Sequence, residues 1–203
     1  MQGIKNIIFD LGGVLLNLDM NKTLDAYKAM GIQNIESYFK IGHADSFFKL
    51  YETGDISDEE FIERIERLEG NTGTQKQIMA AWNALLLDFP ANRVKWLQQL
   101  KSKYRLFLFS NTNALHMEHF QKAFKKDHGF HMDELFEKAY YSHLVNIRKP
   151  DHASYQLVLN ENNLLPHETA FIDDALINVE AANAVGIRGV HLGKEMDVVR
   201  LEW

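Results

Sequence analysis

No cysteine occurs in the 203 residues. That removes a disulfide framework, a thiol nucleophile and a cysteine-based zinc site, and it fits a reducing compartment. Positive charge is also scarce: 22 Lys and Arg stand against 28 Asp and Glu, a net charge of -6. A chain without surplus cations has nothing to displace the counterions of a phosphate backbone, so nucleic acid is not an expected partner. The local group Lys122, Lys125 and Lys126 reads as a solvated helix face. Long apolar runs are missing as well. The longest uncharged apolar stretch, residues 78–87, contains an asparagine and is too short to span a bilayer. The apolar run before Asp10 is too short for a signal-peptide core, so the expected setting is cytoplasmic with no membrane partner. There are three prolines and no Gly/Ser tract or internal repeat, which argues against a long linker, disorder or a solenoid.

What is present is enough apolar material, 46% of residues, for one substantial core with room for a small second domain. Three short runs share a design: NIIFD, RLFLFSNT and TAFIDD are apolar or aromatic without alternation and then break into small polar or acidic residues. Continuous hydrophobicity indicates strands buried on both faces, hence a parallel sheet covered by helices. Helical patterns lie between them. Val94, Leu97 and Leu100 recur within residues 92–101. Tyr155, Val158 and Leu159 share one side of residues 151–159. An alanine-rich pattern over 177–185 is closed by Gly186 before the apolar GVHL run. The order predicts an α/β fold, a doubly wound parallel sheet.

Residues from about 21 to 88 read as helical throughout. In SDEEFIERIERLEG, Ser57 and Glu60 have capping-box spacing, Phe61, Ile65 and Leu68 form one stripe, and Gly70 is the expected stop. NKTLDAYKAMG and ADSFFKLYETG are shorter helical pieces, and QIMAAWNALLL is a strongly apolar one. This block is too long for a simple crossover. It predicts an all-helical subdomain, residues 17–89, inserted into a core made of 1–16 and 90–203. Phe47, Phe48 and Tyr51 are expected in its core.

Ligands of an open parallel sheet bind outside the carboxyl ends of its strands. The polar breaks bring Asp10, Ser110 with Asn111, and Asp173 with Asp174 to that end, and the turn at Arg148, Lys149 and Pro150 is expected to join them from a fourth crossover. Carboxylates without cysteine suit a hard cation such as Mg²⁺. A hydroxyl, backbone amides and a lysine beside it suit phosphate oxygens. Each element alone has a plainer explanation as a turn residue, helix cap or surface charge. Their joint placement points to phosphoryl transfer. The histidine pairs His116/His119 and His128/His131 have no strong metal spacing.

FDLGGVLL, LFLFSNT, RKPD and FIDD resemble, in order, the four motifs of the haloacid dehalogenase-like hydrolases, and the helical insert resembles that family's type-one cap. The likeness spans essentially the whole chain. The first motif and the segment YETGDISDEEF are most similar to the branch with Asp-Leu-Gly-Gly or Asp-Leu-Gly-Asn, which includes bacterial sugar-phosphate phosphatases. The resemblance implies a Rossmann-like core and a small phosphorylated metabolite as substrate, with a sugar phosphate as the candidate. Asp10 would be the nucleophile that forms an aspartyl phosphate. Mg²⁺ would sit between Asp10, the Gly12 carbonyl and the acidic pair, with Asp174 as direct ligand and Asp173 as a second or water-mediated one. Ser110, the Asn111 amide and Lys149 would hold the phosphoryl oxygens. Both monomer and dimer fit.

One family feature is missing. Most phosphatases of the family carry an acid two residues after the nucleophile, where this chain has Gly12. Metal ligation by a carbonyl survives; acid-base help from that position does not, and such help is typically worth about 10² to 10⁴-fold. A sugar 1-phosphate, with its more acidic leaving oxygen, would suffer least. Asp19 is a candidate replacement donor, with helix entry as its other explanation. Two further readings stay open: a dehalogenase that attacks carbon without metal, although the acids of FIDD are retained, and a weakly catalytic phosphate-binding or regulatory protein. A receiver domain is disfavoured, because it would carry its acidic pair on the first strand and has no room for the insert.

Overall fold

The computed structural model of the chain describes residues 2–39, 47–193 and 196–202. Five parallel strands form its sheet: β1 (Asn6–Phe9), β2 (Arg105–Ser110), β3 (Lys138–Tyr141), β4 (Thr169–Asp173) and β5 (Arg188–His191), in the order β3-β2-β1-β4-β5. The unbroken apolar runs have the physical origin expected of them. Ile7 and Phe9 of β1 enter one apolar cluster and Ile8 the other, so both faces of the strand are buried. Helices α6 (Ala91–Leu100) and α7 (Ala114–His128) cover the first face, where Val94, Leu97, Phe120 and Phe124 pack. Helices α9 (His152–Glu161) and α10 (Leu176–Ala184) cover the second through Tyr155, Val158, Ala181 and Ala182. β1 is central and pairs with β2 on one side and β4 on the other. The strand order therefore reverses beside it, and sheets of this kind bind ligands at such a point, outside the carboxyl ends of the strands.

Between β1 and α6 lie α1 (Met20–Ala29), α2 (Ile35–Phe39), α3 (Phe47–Glu52), α4 (Asp58–Glu66) and α5 (Gln75–Asn83). They close over an apolar cluster of their own that includes Tyr27, Phe48, Tyr51, Phe61, Ile65, Ile78 and Trp82. Tyr51 and Phe61 stack at 4.0 Å between ring centroids. The two chain crossings to this insert pair with each other: Leu18 lies opposite Leu86 in an antiparallel bridge, Asp19 N donates to Leu85 O and Leu87 N to Asn17 O.

Several local expectations need correction. The Ser57 side chain accepts from Glu60 N, but Glu60 itself turns to Arg64 at 2.6 Å, so only half of the expected capping box forms. The helix also ends at Glu66, short of Gly70, because Arg67 and Leu68 already fold back. A full capping box appears instead at Thr74 and Gln77. Leu86 and Leu87 leave the QIMAAWNALLL helix to make the linker bridge. Residues 44–46 of ADSFFKLYETG lie outside the described residues. The short β3, α2 and the one-turn α8 (Ser142–Val145) have no distinct signal in the apolar pattern.

Candidate active site

Asp10 directly follows β1, and its N–H donates to Ile172 O on the neighbouring β4. Asp173 ends β4 and Ser110 ends β2, so the two flanking strands deliver their polar residues beside Asp10. Asp10, Asp173 and Asp174 form the one acidic group among the described residues able to hold a cation, with an oxygen of each within 4.8 Å of the others. Lys149 comes from the loop after α8, and its peptide bond to Pro150 is cis. Only 1% exposed, it donates to Asp10 Oδ1 at 2.6 Å and to Asp173 Oδ2 at 2.7 Å. Its ammonium also lies against the Phe109 and Phe171 rings.

The electrostatics follow from burial beside like and unlike charges. Burial pushes Asp10 up to about 7, against the pull of Lys149 and with reinforcement from Asp173 and Asp174. A divalent cation in the cluster would draw it back down. For Lys149 burial acts downward, but the two carboxylates outweigh it and leave its pKa raised.

The two acids of FIDD have different surroundings. Asp173 is fully buried and saturated: besides Lys149 it accepts from Ala175 N at 2.8 Å and from Asn178 Nδ2 at 3.1 Å on both oxygens. Asp174 stands at the exposed edge. Gly13, at φ +74°, makes room for it: a Cβ there would come within 2.4 Å of Asp174 Oδ2. Hard oxygen donors in a tight triangle, one of them exposed, with a glycine cradle at its side, fit a magnesium-type cation.

The segment after β2 is fixed from three directions. Asn111 pairs with the Lys149 backbone, donating to its carbonyl at 2.9 Å and accepting from its N–H at 3.0 Å. Ser142 Oγ accepts from Thr112 N and donates to Thr112 O. Asn113 caps α7 by accepting from His116 N at 3.0 Å, and its Oδ1 also accepts from Trp82 Nε1 of the insert at 3.1 Å. The buried Ser110 hydroxyl has one long contact, to Asn111 O at 3.5 Å, and so is available to a ligand oxygen.

Asp10, Lys149, Asp173 and Asp174 therefore meet, Asn111 is bonded to the Lys149 backbone, Ser110 ends the strand beside β1, and Gly12 lies two residues beyond Asp10. Asp19 has the helix-entry role, its other explanation. It caps α1, accepting from Asn21 N at 3.1 Å. The histidines make other contacts: His116 Nε2 meets Trp82 O, His128 Nε2 meets Phe89 O and His131 Nε2 meets Lys125 Nζ. Sequence reasoning missed Asn178, Ser142 and Trp82, which reach the site's supports only through tertiary packing. It also missed the ion pair at 3.1 Å between Arg148 and Glu52 of the insert. Only Asn178, in the first turn of the helix after the acidic pair, has a local signal that could have found it.

Comparison with known proteins places this geometry in context. The chain is 26% identical over 95% of its length to D-ribitol-5-phosphate phosphatase of Bacteroides thetaiotaomicron, covering 88% of that protein. It is 29% identical to a sesquiterpene phosphatase of Aspergillus oryzae, over 93% of this chain and 89% of that one. A crystal structure of a HAD family enzyme from Bacteroides thetaiotaomicron, a mutant in complex with magnesium and inorganic phosphate, superposes with a TM-score of 0.89 at 37% identity, covering 96% of each chain. The family described as haloacid dehalogenase-like hydrolase matches residues 4–186. The chain belongs to the haloacid dehalogenase-like hydrolases.

Proposed function

We propose that this hydrolase is a Mg²⁺-dependent phosphatase that removes phosphate from a small phosphorylated metabolite through an aspartyl phosphate on Asp10. The observation that carries the reading is the bridge of Lys149 between Asp10 and Asp173, beside an acidic triangle at the point where the strand order reverses. Asp10, Asp174 and the Gly12 carbonyl would hold Mg²⁺, with Asp173 beside them. When bound, the cation would offset the charge of carboxylates and phosphate so that an anionic nucleophile can approach an anionic substrate.

The chain's own groups divide the remaining work. Lys149 orients one Asp10 oxygen and leaves the other to attack phosphorus. The Ser110 hydroxyl, the Asn111 amide and the Lys149 ammonium form the donor set for the phosphoryl oxygens. Asp173 is positioned to hold Lys149 and the loop, since its oxygens are already occupied. Asp174, at the exposed edge, is the better direct ligand. We assign residues 17–89 as the cap, docked on the core through Trp82–Asn113 and Glu52–Arg148, and residues 1–16 with 90–203 as the catalytic core.

Sugar phosphates are the favoured substrate class, supported by the ribitol-phosphate relative and by the first-motif branch. Retention of both acids speaks for metal-assisted attack on phosphorus over metal-free attack on carbon. The test is phosphate release from para-nitrophenyl phosphate and a panel of sugar phosphates, with and without Mg²⁺. Release that requires Mg²⁺ and falls at least about 10³-fold in Asp10→Asn supports the reading, the scale expected for loss of a covalent nucleophile. Equal activity in the variant, or none in the wild type, would contradict it, and the second outcome would favour a phosphate-binding role.

A further inference from the structure

The end of the Leu18 side chain reaches into the space that an acid side chain at position 12 would enter. A Cβ built on Gly12 would lie 2.7 Å from Leu18 Cδ1 and 3.6 Å from Leu18 Cγ. The backbone at Gly12 is not in the left-handed region, unlike that at Gly13, so conformation does not demand glycine at position 12. What stands against a side chain there is the leucine.

Leu18 is held in that place by the paired linkers. Its own backbone bridges to Leu86, and the residues on either side bond across to Leu85, Leu87 and Asp88. Its side chain is 40% exposed. Leu176 and Ile177 are similarly exposed, two and three residues beyond Asp174, whose carboxylate lies against Gly13. An apolar side chain thus lies beside Gly12, and two more follow Asp174 closely in sequence.

Resting on the phosphatase reading above, we infer that Leu18 is a specificity-determining residue which occupies the general-acid position with an apolar surface, restricting efficient substrates to phosphate monoesters whose leaving oxygen departs unprotonated. In the first half-reaction an Asp10 oxygen forms the new bond to phosphorus, and the ester P–O bond breaks with its electron pair on the leaving oxygen. That oxygen takes its proton from solvent after departure. Aryl phosphates and anomeric sugar phosphates meet this requirement. Esters of ordinary primary alcohols meet it poorly, so within the sugar-phosphate class this chain is expected to differ in preference from its ribitol-5-phosphate relative.

The deciding measurement is kcat/KM for a series of phosphate monoesters of graded leaving-group acidity, from nitrophenyl through phenyl and anomeric to primary alkyl. It is made on wild type, Gly12→Asp, Leu18→Ala and the double variant, with thermal unfolding of each as a check on folding. Because kcat/KM covers steps up to leaving-group departure, a purely structural role for Leu18 would lower all esters alike. The inference expects a steep wild-type decline, about 10² to 10⁴-fold beyond that of an enzyme with a general acid. In the double variant the primary alkyl ester should gain at least about tenfold relative to the nitrophenyl ester, more than in Gly12→Asp alone. A flat wild-type profile would overturn the inference while leaving the phosphatase reading intact, since some other group would then be donating the proton. A double variant as steep as the wild type would also overturn it. No turnover of any ester would remove the phosphatase reading and the inference together.

Discussion

Lys149 is an ammonium enclosed between two carboxylates and two phenyl rings. Removing it leaves Asp10 and Asp173 buried next to each other with no cation between them. Breaking a buried pair typically costs about 3 to 5 kcal/mol, because the remaining charge is uncompensated. Lys149→Met should therefore lose about 3 kcal/mol of stability at pH 7 along with its phosphatase activity. Urea unfolding of the variant against wild type measures this; a loss below about 1 kcal/mol would show that the carboxylates are neutralised in some other way. At this scale the sequence was legible where a polar residue ends an apolar strand, as with Asp10, Ser110 and Asp173. It was silent on which atoms they bond. That Asp173 is saturated while Asp174 stays exposed depends on Asn178 and Ala175 folding back over the strand end.

Between elements, the joint of α5 with α7 is a small polar network inside an apolar interface. Trp82 donates to Asn113, Asn113 caps α7, and His116 stacks on the Trp82 indole with ring centroids 4.5 Å apart while its Nε2 meets Trp82 O. Asn113 Nδ2 faces His116 Nδ1, which fixes that nitrogen as an acceptor and puts the proton on Nε2. Burial accordingly pushes His116 down to about 4, with the Trp82 carbonyl opposing and His119 adding to the shift. The sign follows. Below its unfolded pKa near 6.5 the unfolded chain takes up a proton that the folded chain refuses until about pH 4, so stability falls as pH drops through that window. The loss between pH 7 and pH 5 amounts to about 2 kcal/mol from this residue. In His116→Gln the stability difference between those pH values should shrink by that amount in chemical-denaturation curves. An unchanged difference would mean that His116 is accessible to protons in the folded state.

Element boundaries show where sequence reading stops. The strands β1, β2 and β4 and the helices α6, α9 and α10 announce themselves by apolar runs and spacings. By contrast β3, KAYY, carries an exposed lysine and only two fully buried positions, and it is a strand because β2 offers it a pairing edge. The Ser57 box is half-formed because Glu60 has a better partner in Arg64, one turn on. Leu18 reads as an ordinary apolar residue in sequence. Its proximity to Gly12 is set by the bridge to Leu86, and no local pattern encodes that pairing.

For the molecule as a whole, the arrangement places a helical insert with its own core over the reversal point of a five-stranded parallel sheet. No described helix is long and apolar enough to cross a membrane. At the site three carboxylates face one lysine, a local excess of negative charge. That imbalance is the reason a divalent cation belongs in the reading: without it a phosphate dianion would meet net negative charge. In the proposed reaction Asp10 captures phosphate covalently, with Lys149 holding one of its oxygens and leaving the other for attack. The most direct measurement is mass spectrometry of the protein acid-quenched during turnover of para-nitrophenyl phosphate with Mg²⁺. A phosphoryl increment on the peptide that contains Asp10, absent without Mg²⁺ and absent in Asp10→Asn, is the predicted result. Turnover with no such increment, or with the phosphoryl group on another residue, would contradict the assignment of Asp10 as nucleophile.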